Sequence, residues 1–323
     1  MSVAEGELDR AVAALRRGGL VAFPTETVYG LGADASHADA IRRLFAVKRR
    51  PADHPVIVHL GRDAALDVHA TDVPDVARAL AAACWPGPLT LVLRRRPGRI
   101  VDEVTGGRDT VGLRVPDHPV PLALLDAFGG ALAAPSANRF GRVSPTTAQH
   151  VRDDLGADVD VVLDGGPCRF GVESTIVDCT GVGPVVVRVG AVTRERLAEI
   201  AGAPLPERTR GEIAAPGTLE QHYAPAARVI VADAVALPEG VGSRIERGER
   251  VGLLALHPPR EVPSGLVVLR PPSDVEEYAH VLYDRLREAD ALGLDALVVV
   301  VPPEVGLGAA IADRVRRAAG ASR

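Results

Sequence analysis

The chain has 323 residues, 47% of them hydrophobic and 24% charged, and a formal net charge of −5. At roughly 100 to 200 residues per domain, this length favours two domains, and the composition is typical of a globular protein with its own core. The acidic balance argues against a broad basic surface for nucleic acid, although it leaves room for a local basic pocket.

Residues 1–202 alternate short helical and strand patterns. Apolar residues at helical spacing, each followed by glycine or proline, predict helices over residues 7–17, 38–49 and 73–85. Short apolar runs predict strands over residues 20–23, 56–60, 89–93, 111–115, 132–135, 159–163, 175–178 and 185–189. Because several of these strands follow one another with few helices between them, we predict an α+β or mixed α/β sheet domain.

Residues 203–227 break this pattern, because they are rich in proline, polar and small residues and have no clear period. We predict a linker there, either a lid over a binding site or a passive tether. The pattern then resumes with strands at residues 228–232, 251–256, 266–269 and 296–301 and helices at residues 274–291 and 306–319. Apolar strands that alternate with helices predict a small parallel α/β domain over residues 228–323.

Transmembrane and secreted classes are not favoured. No stretch approaches roughly 18 uninterrupted apolar residues, and the N-terminal residues are polar and acidic, unlike a signal peptide. The three cysteines, Cys84, Cys168 and Cys179, are too few and too scattered for a disulfide framework or a metal site. We therefore expect a cytoplasmic protein with no membrane span, in which the cysteines are small buried hydrophobic residues.

Two residue types occur once each at informative positions. Lys48 is the only lysine beside many arginines, and Asn138 is the only asparagine. Coding bias toward G and C replaces lysine by arginine wherever a positive charge alone is enough. A retained lysine therefore indicates a need for a compact cation rather than a planar fork, although chance retention is the alternative.

Three clusters of polar residues follow predicted strands or helices, where ligand loops are common in such sheets. They span residues 23–34, 47–60 and 134–146, and they contain hydroxyls, an acid, cations, histidines and glycines. Signatures of P-loop, dinucleotide-binding, zinc-protease and serine-hydrolase sites are absent from the sequence. The clusters favour a site for a small polar or polyphosphate ligand.

The spacing of Lys48-x-Arg50 and Ser136-x-Asn138 resembles the motif of the YrdC/TsaC family of threonylcarbamoyl-AMP synthases. Four further segments resemble this family: PTETVYGLG at 24–32, TVGLRVP at 110–116, APSAN at 134–138 and DGGPCRFGVESTIVD at 164–178. QHYAP at 221–225 resembles the connector of its long, two-domain form. The resemblance implies a YrdC-like twisted mixed sheet with a concave pocket at residues 1–202, a linker or lid at 203–227, and a small Rossmann-like α/β domain at 228–323.

The resemblance implies a nucleotidyltransferase that combines L-threonine, bicarbonate or CO₂, and ATP, with Mg²⁺, into L-threonylcarbamoyl-AMP and pyrophosphate. The product would pass to the machinery that modifies adenosine 37 of tRNA, and a weak tRNA contact is expected. Neither the formation of the carbamate nor its attack on the α-phosphorus needs a covalent protein nucleophile. Both steps need positioning and cations, which agrees with the residue types present.

Site residues carry over by motif. The catalytic motif is Lys48, Arg50 and Asn138. The positions that resemble threonine-binding residues are Thr27, His59, Arg114, Ser174 and the backbone at Ala134. Those that resemble ATP-binding residues are Arg50, His54, Thr110, Ser136, Ser144, Arg188 and Tyr223. His54 departs from the family, in which many relatives carry asparagine, but a neutral imidazole also donates and accepts hydrogen bonds.

Two other functions fit parts of the sequence. An RNA-binding protein would use the basic stretch Arg94-Arg95-Arg96 with Arg99, although aromatic residues for base stacking make up only 3% of the chain. A carbamoyltransferase related to hydrogenase-maturation proteins would need acylphosphatase and zinc-finger modules, which the sequence lacks. A tRNA-binding titration in salt would separate the first of these from the synthase.

Overall fold

A computed structural model describes residues 4–207, 223–232 and 240–320. The chain forms two compact units. Unit 1 comprises Met1–Phe140, Ser144–Arg169 and Glu173–Thr218, and unit 2 comprises Gly141–Val143, Phe170–Val172 and Leu219–Arg323. Within the described ranges, no helix is long and apolar enough to cross a membrane. Most of the predicted linker lies outside the described residues.

Unit 1 is built on one mixed sheet. Its strands are β1 (Val21–Phe23), β2 (Gly30–Asp34), β3 (Val58–His59), β4 (Ala70–Thr71), β5 (Leu89–Arg95), β6 (Thr110–Arg114), β7 (Leu132–Ala133), β8 (Val161–Val162), β9 (Thr175–Asp178) and β10 (Val185–Arg188). They lie in the order β10-β9-β5-β6-β3-β7-β2-β1-β8, with β4 paired to β5. Parallel and antiparallel neighbours both occur, so the predicted mixed sheet is confirmed.

Helices pack against this sheet and bury their apolar faces in its core. They are α1 (Glu5–Arg16), α2 (Ala38–Lys48), α3 (Asp75–Cys84), α4 (Asp102–Thr105), α5 (Pro119–Phe128), α6 (Ala148–Leu155) and α7 (Arg194–Ala201). The sequence patterns identified α1, α2 and α3 to within two residues at each end. They did not identify α5, which begins with proline and has few polar residues. Proline is tolerated at a first helical position because the missing N–H has no partner there, and the His118 side chain caps this helix by accepting from Val120 N.

Strand β2 corrects the interpretation of residues 30–34 as part of a ligand loop. Gly30 and Gly32 belong to the polar cluster at residues 23–34, yet they pair antiparallel with Phe23 and Val21 of β1. A Cβ at Gly32 would lie 2.6 Å from Cε1 of Phe23. The glycines therefore make room for the Phe23 ring on the sheet, a packing role that strand propensity alone does not reveal.

Unit 2 contains a parallel sheet, as the sequence predicts. Its strands are β11 (Arg228–Ala232), β12 (Val251–Leu254), β13 (Val267–Val268) and β14 (Ala296–Val300), in the order β11-β14-β12-β13. Every described pairing among them is parallel. The helices are α8 (Val241–Glu246), α9 (Val275–Ala291) and α10 (Leu307–Gly320). The Tyr278 hydroxyl of α9 donates to Val300 O at 2.9 Å, which fixes this helix against β14.

Candidate active site

Strand register brings the predicted threonine-binding residues of unit 1 together. The parallel pairing of β3 with β6 places His59 opposite Arg114. On the other side of β3, Ala134 N donates to Ile57 O at 2.9 Å. Arg114 Nη2 donates to the Thr27 hydroxyl at 2.9 Å, which adds the loop after β1 to the cluster. Four residues predicted from separate parts of the sequence therefore line one region of the sheet.

The Thr27 hydroxyl is held in place by a short network. It lies 2.8 Å from the hydroxyl of Thr25, which donates to Val28 O at 2.7 Å. The side chains of Thr25, Thr27 and Arg114 are buried. Glu26 Oε1 also lies 2.7 Å from Arg114 Nη2. The guanidinium is thus fixed from two sides, so its position is pre-organised for a ligand carboxylate.

His59 provides a neutral, buried imidazole beside this arginine. Burial lowers the pKa of His59 well below its ordinary value, and the positive charge of Arg114 lowers it further. Its Nδ1 is buried and has no hydrogen-bond partner among the described residues. Leaving a buried polar atom without a partner costs free energy. A ligand whose hydroxyl or N–H donates to this nitrogen therefore binds more tightly than a ligand without such a donor.

Ser174 directly precedes β9, and two side chains fix it. Its hydroxyl is 2.8 Å from the Thr90 hydroxyl of β5. Arg188 Nη2 donates to the Ser174 carbonyl at 2.9 Å and to its hydroxyl at 3.1 Å. A Cβ at Gly190 would lie 2.3 Å from Glu173 O, so the backbone around Ser174 has a glycine packed against it. Ser174, predicted for threonine, and Arg188, predicted for ATP, are therefore direct neighbours.

Lys48 ends α2 on its buried face, as the helical spacing predicts. Its ammonium donates to the carbonyls of Ser136 and Asn138, the two named residues of the Ser-x-Asn motif. Burial, followed by the charge of Arg50, lowers the pKa of Lys48 well below its ordinary value. The two halves of the motif are thus physically joined, because the lysine anchors the loop that carries Ser136 and Asn138.

Arg50 and His54 lie just beyond this helix. Arg50 Nη2 donates to Pro55 O at 2.8 Å, and its guanidinium stacks over the Phe140 ring at 5.5 Å. The His54 ring lies 5.7 Å from the same phenylalanine ring. Burial, with the charge of Arg50, lowers the pKa of His54, so its imidazole is neutral near pH 7. A planar cation and a neutral imidazole around one aromatic ring suit a phosphate or a base.

The remaining predicted ATP residues lie in different places. Thr110 begins β6, and Arg114 ends it, so the two α-carbons are about 14 Å apart at about 3.4 Å per residue. The buried Ser144 hydroxyl donates to Glu173 Oε1 at 2.7 Å. Tyr223 belongs to unit 2, where its ring stacks on Tyr283 with centroids 5.6 Å apart. The predicted ATP contact of Tyr223 remains a prediction.

Two of the four arginines considered for RNA binding pair with carboxylates. Arg94 pairs with Asp109 at 2.9 Å, and Arg95 pairs with Asp102 at 2.6 Å. Arg96 Nε donates to the Asp67 carbonyl at 2.7 Å. The two ion pairs reduce the positive charge that this stretch offers to a phosphate backbone.

The sequence interpretation gave no role to Glu26, Thr90 or Phe140. Each lies against a predicted site residue: Glu26 at Arg114, Thr90 at Ser174 and Phe140 at Arg50. Thr90 gave no signal, because it reads as one residue of an apolar strand. Glu26 did give a signal, because it is the only acid in the motif of residues 24–32. Its position between two threonines could have indicated a role.

Comparison with known proteins agrees with this geometry. A family model described as "Telomere recombination" (Sua5, YciO and YrdC) matches residues 13–190, and the model of the threonylcarbamoyl-AMP synthase C-terminal domain matches residues 192–320. The chain belongs to the threonylcarbamoyl-AMP synthase family. The family and the long, two-domain form indicated by the sequence motifs are thereby confirmed.

Relatives match over nearly their whole length. The threonylcarbamoyl-AMP synthase of Pyrococcus abyssi is 38% identical over 98% of this chain and 95% of its own, and that of Bacillus subtilis is 38% identical over 99% and 95%. The solved structure of P. abyssi Sua5 complexed with L-threonine superposes with a TM-score of 0.89 at 37% identity, and it covers 100% of this chain and 96% of that one. The synthase fold therefore extends over both units.

Proposed function

We propose that the chain combines L-threonine, bicarbonate or CO₂, and ATP into L-threonylcarbamoyl-AMP and pyrophosphate, the reaction of the threonylcarbamoyl-AMP synthase family. The observation that carries the proposal is the buried group formed by His59 and Arg114, at adjacent strand ends, and Thr27 in the loop after β1, in a chain of this family. A fixed guanidinium for a carboxylate and a neutral imidazole with a free nitrogen suit a hydroxy amino acid. The P. abyssi relative solved with L-threonine supports this choice of substrate.

The reaction forms an N–C bond and an O–P bond, and it breaks one P–O bond of ATP. The threonine nitrogen adds to the carbon of CO₂ to form a carbamate, and a proton leaves the nitrogen. A carbamate oxygen then attacks the α-phosphorus of ATP, and the bond from that phosphorus to the bridging oxygen breaks to release pyrophosphate. The described side chains contribute by orientation and charge, with Arg114 on the threonine carboxylate and Arg50 and Arg188 near the phosphates.

Lys48 acts mainly through the loop that it anchors. Because its ammonium holds the carbonyls of Ser136 and Asn138, it fixes the Ser136 hydroxyl and the Asn138 amide for the ligand. Asn138 Nδ2 itself donates to Arg139 O at 3.0 Å. We propose that this loop positions the ATP phosphates against the carbamate.

Magnesium enters, in this proposal, as the complex of Mg²⁺ with the substrate ATP. Mg²⁺ is a hard cation that prefers oxygen ligands and is usually bound through substrate phosphates together with few protein groups. Within the described ranges, no group of three or more His, Cys, Asp or Glu side chains is arranged to hold a metal ion. When bound, Mg²⁺ would neutralise charge on the departing pyrophosphate.

We propose further that the product passes to the tRNA threonylcarbamoyl-transferase machinery in the cytoplasm. The adenylate is a mixed anhydride that water hydrolyses readily, so an acceptor must take it quickly. A weak contact with tRNA would assist this transfer. The proposed linker lid would also shield the adenylate, but most of residues 203–227 lies outside the described residues.

The test is pyrophosphate release from the full chain with ATP, Mg²⁺ and bicarbonate, with and without L-threonine. We expect release that depends on threonine and falls at least tenfold in Arg114→Gln. The matched control is Arg78→Gln, which removes an exposed arginine that pairs with Asp67 and should leave the rate unchanged. Equal release with and without threonine would contradict the proposal.

A further inference from the structure

The carboxylate of Glu26 is buried in the proposed threonine site without the hydrogen bonds that such a group normally has. The residue is 1% exposed. Oε1 lies 2.7 Å from Arg114 Nη2, close enough for an ion pair. Nevertheless, neither carboxylate oxygen has an aligned hydrogen-bond donor among the described residues. A buried carboxylate normally has several such donors, because leaving one unsatisfied costs free energy.

The donors of Arg114 explain why the carboxylate remains unsatisfied. Nη2 directs a hydrogen bond to the Thr27 hydroxyl at 2.9 Å, and Nε donates to Gly87 O at 3.4 Å. Thus Arg114 compensates the charge of Glu26 while its aligned hydrogen bonds go elsewhere. The oxygens of Glu26 retain lone pairs for a further donor.

Threonine brings a donor of the required kind. As a zwitterion it carries a carboxylate and an ammonium group on the same carbon atom, so the protein groups that bind them must be close neighbours. Arg114 and Glu26 are such neighbours, with opposite charges. The groups predicted for threonine binding are a cation, an imidazole, two hydroxyls and the backbone at Ala134, and none of them is an acid. An ammonium group beside Arg114 needs an anion to offset the like charge.

We propose that Glu26 binds the α-ammonium group of L-threonine and makes the site selective for an α-amino acid. Glu26 has this role only if threonine is the substrate, as the proposed function holds. When threonine enters, its carboxylate binds Arg114 and its ammonium group donates to Glu26. The ion pair within the protein is thereby extended into a four-charge arrangement with alternating signs, and the buried oxygens gain their hydrogen bonds.

Glu173 is the other buried acid near the predicted site residues. Its Oε1 already accepts from the Ser144 hydroxyl at 2.7 Å, and Ser144 is a predicted ATP residue. Glu26, in contrast, lies against the arginine assigned to the threonine carboxylate. Position and unused hydrogen-bonding capacity therefore both favour Glu26.

The experiment compares two ligands with the full-length protein by calorimetry. One is L-threonine, and the other is 2,3-dihydroxybutanoate, in which a hydroxyl replaces the α-amino group while the carboxylate is kept. Hydrogen bonds to charged groups contribute about 1.5 to 3 kcal/mol, so the wild type should prefer threonine by about ten- to 150-fold. In Glu26→Gln this preference should fall to about threefold or less, while ATP binding persists.

Three further variants are measured in the same way: Glu26→Asp, Glu199→Gln and Glu173→Gln. Glu26→Asp keeps the charge but withdraws it by one methylene group, so its preference should lie between those of the wild type and Glu26→Gln; this comparison decides the matter if the glutamine variant does not fold. Glu199→Gln alters an exposed acid paired with Arg196 and should keep the wild-type preference.

Three results would overturn the role of Glu26 while leaving the proposed function intact. Equal weakening of both ligands in the Glu26 variants would mean that the residue only supports Arg114. An unchanged preference would mean that the ammonium group binds elsewhere, and a collapse in Glu173→Gln alone would assign it to that acid. If the wild type does not bind threonine, the proposed function itself fails.

Discussion

Replacing Lys48 by arginine tests whether the only lysine of the chain is needed for its shape rather than its charge. The Lys48 side chain is 2% exposed and its ammonium donates to the carbonyls of Ser136 and Asn138. Arginine keeps the positive charge, but its planar fork is larger and presents its donors in fixed directions. We expect it to lose at least one of the two hydrogen bonds and to displace the loop.

The size of the effect follows from these contacts. A hydrogen bond to a charged group contributes about 1.5 to 3 kcal/mol, and a variant that must restore the loop at this cost before it reacts loses about ten- to 150-fold in rate. Lys48→Met removes both donors and should lose more. The assay is threonine-dependent pyrophosphate release, with thermal unfolding to show that each variant is folded.

The neighbouring residue provides the control. Arg49 is exposed, and Arg49→Lys makes the opposite exchange beside the same helix end, so it should retain wild-type activity. Full activity in Lys48→Arg would refute the reasoning, because it would show that charge alone is sufficient at this position.

Three further predictions concern stability, pH and substrate. Arg49 directly follows α2 and has a φ of 53°, a left-handed conformation that favours glycine, so Arg49→Gly should raise the free energy of unfolding by up to about 1 kcal/mol; a decrease in urea unfolding experiments would contradict this. The pKa of His59 is lower in the folded than in the unfolded chain, so the unfolded chain takes up the proton first and stability falls as the pH drops below 6.5. His59→Gln should therefore lose less stability than the wild type between about pH 6.5 and 5 in the same measurement, and parallel curves would exclude His59 as the cause. Threonine should be turned over on the order of 10⁴-fold faster than valine, with serine intermediate, because a site that pairs a hydroxyl is left with unmatched polar groups by valine. Equal rates for valine and threonine would show that the hydroxyl is not recognised.

Local patterns in the sequence predicted much of the fold, while several contacts of the site depended on pairings that are distant along the chain. The helix that ends in Lys48 follows from apolar spacing, and the parallel strands of unit 2 follow from their apolar runs. The contact of Lys48 with the loop around Asn138 joins residues 90 positions apart. Spacing within the sequence does not reveal such a contact, although the occurrence of one lysine and one asparagine indicated that both matter.

The register of the strand pairing explains why some contacts of the site could not be predicted. His59 and Arg114 become neighbours because β3 pairs with β6 in one particular alignment. A shift by one residue would turn either side chain to the other face of the sheet. The burial of Glu26 against Arg114 depends on the same alignment, so the acid was visible in the motif while its partner was not.

The most direct test of threonylcarbamoyl-AMP synthesis supplies ¹³C-labelled bicarbonate and ¹⁵N-labelled threonine together with ATP and Mg²⁺, and examines the product by NMR and mass spectrometry. A product with the ¹³C atom bonded to the ¹⁵N atom and joined through oxygen to the phosphorus of AMP is the predicted result. Its formation should match the pyrophosphate released. Pyrophosphate accompanied by threonyl-AMP that carries no ¹³C would contradict the account, because the amino acid would then be activated without the carbamate.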